Sequence, residues 1–163
     1  MNTQTAQNYE VKAGLDKIKG FDVVGVTTRI TDRETASEQI NALWETFFKQ
    51  SVVQNIENRV DDIIYAVYSD YEGDHEDPYR ITIGYKISGA AQLKGGLHKV
   101  RVKTADYAMM GAAGEQPKAL IETWTSIWQS DLDRRFETDF EVYGQRFFED
   151  GVHEVLVCVG VNI

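Results

Sequence analysis

The stretch Asp139-Phe140-Glu141-Val142-Tyr143 reads as a short β-strand with an acid at its centre. Aromatic and β-branched residues favour strands and acids are depleted in them, so Glu141 is the residue that needs a reason. An earlier stretch, Tyr65-Ala66-Val67-Tyr68, has the same form with alanine in place of the acid. Working outward, each stretch follows a helical pattern and precedes a further strand. Ile40, Leu43, Trp44, Phe47 and Phe48 recur at i, i+3, i+4, i+7 and i+8 within residues 35–50, which is one apolar stripe. Leu120, Ile121, Trp124, Ile127 and Trp128 follow with helical spacing after Pro117, a residue suited to a first helical turn. Trp44 then corresponds to Trp124. Ile81-Thr82-Ile83-Gly84 corresponds to Leu156-Val157-Cys158-Val159, or to a stretch within a residue of it.

The remaining segments fit two copies of one unit. Residues 21–30 form the first convincing strand, with Tyr9-Glu10-Val11 as a short strand leading into it. Residues 63–68 and 79–87 read as a β-hairpin around an acidic loop at 70–78. In the second half, 100–102 and 106–112 read as strands before the helix, and 152–161 as the closing strand. The predicted fold is α+β: duplicated β-α-β-β units with pseudo-twofold symmetry, about 8–90 and 97–162. Both helices lie on one face of an antiparallel sheet within a single domain of 1–163.

Composition narrows the function. With 163 residues the chain is long enough to bury a core without a disulfide or metal staple. Its net charge of −9, with no block of Lys or Arg, is opposite to what nucleic acid attracts and favours cationic partners. One cysteine, Cys158, excludes an internal disulfide and CxxC sites. The N-terminus is polar, and the longest charge-free runs are nine residues, against the ~20 apolar residues of a bilayer span. A cytoplasmic, reducing setting with no membrane partner is the resulting expectation.

Few residues carry chemistry. Glu141 and Tyr143 share a strand face, because side chains alternate. The plain alternative for Glu141 is an outward-facing acid on a solvated face. The functional one is a carboxylate on the floor of an aromatic pocket, waiting for a cation. Trp124 and Trp128 lie one helical turn apart, and Tyr65, Tyr68, Tyr85, Tyr107 and Tyr143 sit in predicted strands. Ring faces attract cations by ~0.5–2 kcal/mol each, although most such rings simply pack. Met109-Met110 could add a deformable wall, but core packing explains the pair.

Asp70, Glu72 and Asp74 start like a calcium loop, but glycine falls fourth rather than sixth and Ile81 stands where a glutamate belongs, so a solvated hairpin loop is expected. His75, His98 and His153 show no metal-ligand spacing, with His153 placed in the last strand as a surface or satisfied core residue. Gly111-Ala112-Ala113-Gly114 matches no phosphate-loop motif. No metal or cofactor is implied.

Taken together, residues 21–30, Leu43-Trp44 with Phe47, Ile64–Tyr68, 79–87, Asp106-Tyr107-Ala108, Phe140–Tyr143 and 153–161 resemble the gyrase-inhibitor-like superfamily. These are also called AraC-type, or bacterial transcription activator, effector-binding domains. The chain looks most similar to stand-alone multidrug binders carried on integron gene cassettes. The resemblance implies a ligand cleft between the helices and lipophilic, aromatic cations as ligands. It implies that Glu141 meets the charge and Tyr143 is a wall, with Trp124, Trp128, Tyr68 and Tyr107 as further wall residues. The sequence lacks a helix-turn-helix or winged-helix domain, so direct DNA binding is not expected. A regulatory role then calls for a partner protein or a homodimer. Two other readings remain from the same residues: a small-molecule hydrolase in which Glu141 positions water, and an acidic protein inhibitor of gyrase.

Overall fold

Segments rich in valine, isoleucine and tyrosine form eight strands in this computed structural model, which describes residues 14–50, 56–74, 76–90, 93 and 95–162. They are β1 (Gly14–Ile18), β2 (Phe21–Ile30), β3 (Arg59–Ser69), β4 (Tyr79–Ile87), β5 (His98–Val102), β6 (Ala105–Ala112), β7 (Arg134–Tyr143) and β8 (Val155–Val161). The two apolar stripes form helices α1 (Ala36–Lys49) and α2 (Lys118–Trp128). The strands make one sheet in the order β1-β6-β8-β7-β3-β4-β2-β5, antiparallel at every junction. The expected α+β class with an antiparallel sheet and two helices is therefore present. β1 was not anticipated, and the expected strand at Tyr9–Val11 lies outside the described residues. His153 is not in the last strand; it sits in the turn before β8 at a φ of 45°.

Alternation divides the sheet into two faces. On one, Val24, Val26, Ile64, Ala66, Ile81, Ile83, Val157 and Val159 pack with Leu43 and Phe47 of α1 and with Trp124 and Ile127 of α2. On the other, Phe21, Val67, Tyr107, Phe140 and Cys158 pack together, with the Phe21 and Phe140 rings edge to face at 5.5 Å. Among the described residues, no helix contributes to this second cluster. Its rings bury one another, and Gly20 of the β1–β2 turn donates its N–H to Thr104 between β5 and β6.

Two local departures from a regular ladder shape the sheet. Gly25 and Gly84 face each other across β2 and β4, where a Cβ on Gly84 would stand 1.9 Å from the Val24 carbonyl oxygen. The backbones approach there more closely than any side chain allows. The pairing of β7 with β8 shifts between Arg134 and Asp139, a bulge in which Phe136 adopts a φ of 54°.

Candidate functional site

Strands β3 and β7 pair at the middle of the sheet, with Ala66 opposite Glu141 and Tyr68 opposite Asp139. Alternation sends Asp139, Glu141 and Tyr143 to the helix side. Two carboxylates thus stand two residues apart on one face of one strand, in very different company.

Asp139 is fully buried and has a cation. Arg134 Nη2 donates to its Oδ2 at 2.7 Å, and the same oxygen accepts from the Tyr71 hydroxyl at 2.6 Å. Its Oδ1 accepts from the Gly160 N–H at 2.8 Å. The bulge in β7 brings Arg134 back over the strand that carries its partner.

Glu141 is 2% exposed and its hydrogen-bonding partners are uncharged. Its Oε2 accepts from the Tyr68 hydroxyl at 2.8 Å and from Trp124 Nε1–H at 2.7 Å, and its Oε1 accepts from the Tyr143 hydroxyl at 2.6 Å. Two carboxylate oxygens offer about four acceptor positions, so a position on Oε1 remains. Burial pushes the Glu141 carboxyl above the ordinary range, while the bonds from Tyr143, Trp124 and Tyr68 pull it back without cancelling the rise. Burial, and then the neighbouring carboxylate, push the Tyr68 and Tyr143 phenols well above their usual value, so both remain donors.

Glu141 and Arg134 both line a cavity of about 730 Å³, within the usual range for small-molecule sites. Much of its wall is aromatic, with Trp44 from α1, Trp124 and Trp128 from α2, and Tyr68, Tyr79 and Tyr143 from the sheet. Trp44 meets Tyr143 edge to face at 4.9 Å, and Trp124 lies 5.3 Å from the Tyr68 ring. Phe48, Ile121, Trp128 and Phe148 also line it and are left 41–60% exposed, an apolar rim. Asp32, Glu76 and Asp77 add acid to the same lining, beside Arg33. Chemically, the space can enclose an aromatic body and offer it the Glu141 charge, which no cation among the described residues balances.

Residues 15–158 match the family of Cass2, integron-associated effector binding proteins. The chain belongs to this family. Its fold is also that of the Vibrio cholerae integron cassette protein VCH_CASS2, with a TM-score of 0.71 at 24% identity over 92% of this chain and 97% of that one. The structure of SAV2435 bound to tetraphenylphosphonium matches with a TM-score of 0.72 at 14% identity, over 91% of this chain and 92% of the other. No curated protein matches the sequence.

In this Cass2 chain the structure brings Glu141, Tyr143, Trp124, Trp128 and Tyr68 to the cavity. It does not bring Tyr107 there. That ring is fully buried on the opposite sheet face, 5.3 Å from Phe140, and its hydroxyl donates to the Lys103 carbonyl at 2.6 Å. The parity of β6 against β8 turns Ala108 and Met110 toward the helices and Tyr107 and Met109 away. Both methionines pack in the core clusters. Sequence reasoning missed Arg134, Asp139, Trp44, Tyr71 and Tyr79. Asp139 carried a usable signal, since it lies two positions before Glu141 and so shares its face. The acidic loop makes local bonds, such as Asp74 N–H to Asp77 and Glu76 N–H to Asp74. Among the described residues, no group of three or more His, Cys, Asp or Glu is placed to hold a metal ion. No helix among them is long and apolar enough to cross a membrane.

Proposed function

We propose that this Cass2 protein binds lipophilic, aromatic organic cations in the cavity, with Glu141 as counter-charge and without covalent chemistry. The observation that carries this reading is the buried Glu141 carboxylate, open to an aromatic space and held by neutral donors alone. A charge so placed is costly unless paired. Asp139, two residues away, has its arginine, whereas the bonds to Glu141 come from neutral groups. The likeness in fold to SAV2435, which is bound to the cation tetraphenylphosphonium, supports the same ligand class here. Three donors already occupy the Glu141 oxygens, which suits a fixed counter-ion better than a base that must take up a proton from water.

On this reading the cavity is the ligand cleft between the two helices of a duplicated β-α-β-β domain. Support comes from the pairing of Ala66 with Glu141 at the sheet centre and from the contribution of one helix of each half to the same cluster. Tyr143, Tyr68, Trp124 and Trp128 are the proposed walls, and a regulatory output would need a partner protein or a second copy.

The test is a tryptophan-fluorescence titration with tetraphenylphosphonium and with uncharged triphenylmethane. Trp44, Trp124 and Trp128 line the cavity, so occupancy should change their emission. Saturable binding of the cation, with the neutral compound at least about tenfold weaker, supports the proposal. Equal affinity for both refutes it.

A further inference from the structure

Arg134 is a cavity-wall residue whose side chain is only 5% exposed. Its Nη2 serves Asp139, but Nε and Nη1 are buried with no hydrogen-bond partner among the described residues. Aromatic rings cover the guanidinium instead: Phe136 with its centroid 4.3 Å from the central carbon, and Trp124 at 5.9 Å. Ring faces answer to the charge of a guanidinium, and they leave its N–H groups without acceptors. Buried donors are nearly always satisfied, and an exception calls for an explanation.

The charge of Arg134 is already balanced by Asp139; what the group lacks is acceptors. Among the described residues the cavity therefore has two unmatched poles, the Glu141 charge held by neutral donors and the Arg134 Nε and Nη1 donors that meet no acceptor. The Trp124 indole stands between them, donating to Glu141 on one side and lying against Arg134 on the other. We propose that Arg134 forms a second ligand subsite, so that the preferred guests are aromatic cations that also carry an uncharged oxygen acceptor, such as a ketone carbonyl. This rests on the cation-binding reading above. The acceptor approaches Nε or Nη1 in the plane of the guanidinium, where their N–H bonds point, and the Phe136 ring beside the group gives way to it. Phe136 is half-buried within the bulge of β7, outside the continuous ladder. A carboxylate is disfavoured at the same place, because it adds negative charge beside Asp139 and Glu141.

The experiment compares three phosphonium salts of matched length on the whole protein by fluorescence titration: hexyltriphenylphosphonium, (5-oxohexyl)triphenylphosphonium and (4-carboxybutyl)triphenylphosphonium. The wild type should bind the ketone about tenfold more tightly than the alkyl compound, the scale of a hydrogen bond to a charged group, and the carboxylate most weakly. Arg134→Lys keeps a positive charge for Asp139 but gathers its donors on one ammonium at that carboxylate, away from the positions of Nε and Nη1, so the ratio of ketone to alkyl affinity should fall to about one. If that variant does not fold, Arg134→Met with Asp139→Asn removes both charges together and should give the same ratio. Equal ketone and alkyl affinities in the wild type, tightest binding of the carboxylate, or a preference that survives in the variant overturns the subsite. If no phosphonium binds, the cation site fails and this inference with it. If the alkyl salt binds and weakens in Glu141→Gln while the ketone shows no gain, only the Arg134 subsite fails.

Discussion

Replacing Glu141 by glutamine separates the two roles of its carboxylate, because the amide keeps the shape and loses the charge. A cation centre held about 5 Å from the carboxylate, in surroundings of effective dielectric near 20, gains about 3 kcal/mol from it. Glu141→Gln should therefore weaken tetraphenylphosphonium by roughly 30- to 200-fold, about 2–3 kcal/mol, and an uncharged analogue by less than about threefold. The structure also says what happens without ligand. The glutamine oxygen can take the place of Oε2 and accept from Tyr68 and Trp124, and its NH₂ can donate to a Tyr143 hydroxyl turned to receive it.

The pKa of Glu141 is raised by folding. Its favourable contribution is thus complete below the unfolded value and is lost as pH rises through the folded one. At neutral pH the variant should melt no lower than the wild type, and any advantage should vanish once Glu141 is protonated in both states. Fluorescence titrations with the two ligands, with melting curves at pH 7 and pH 4, check both halves. Equal loss for cation and neutral compound, or a marked fall in the melting temperature of the variant at pH 7, would refute the reasoning.

Four other outcomes are expected from the same geometry. Binding of a permanently charged phosphonium favours the ionised Glu141, so affinity should fall as pH drops through the raised pKa, with a proton released on binding; calorimetry in buffers of different ionisation enthalpy would show it. Trp124→Phe removes one donor to the carboxylate, which should move the midpoint of that pH dependence upward. Asp139→Asn leaves Arg134 buried without its counter-charge and should cost about 3–5 kcal/mol in urea denaturation, the usual loss on breaking a buried ion pair. Gly84→Ala drives a methyl group into the Val24 carbonyl and should destabilise by more than about 2 kcal/mol or prevent folding, read by the same denaturation curve.

The elements with strong periodicity were legible in the sequence. The stripe Ile40–Leu43–Trp44–Phe47 became α1, and Tyr79–Ile87 became β4, because a buried face writes its spacing into the chain. β1 left no such trace, since Gly14–Ile18 is an edge strand with exposed Asp16 and Lys17 and is held by backbone pairing with β6. Glu141 was legible because an acid among strand-forming apolar residues is an anomaly. Tyr107 was misplaced because its face depends on the register of β6 against β8, which local spacing does not contain. Arg134 and Asp139 escaped notice for a related reason. Their pairing depends on the bulge between them, and nothing in the wording Arg134-Arg135-Phe136 announces a break in the ladder.

Glu141 stands on the central strand pair, braced by backbone hydrogen bonds from both flanks, whereas Trp44, Trp128 and Phe148 hang from helices and a connecting loop. A receptor built this way has a stiff floor and a pliable roof. On the proposed reading it is strict about the sign of a guest and lenient about its outline, so unrelated molecules that share only a positive charge and a greasy frame can compete for one seat.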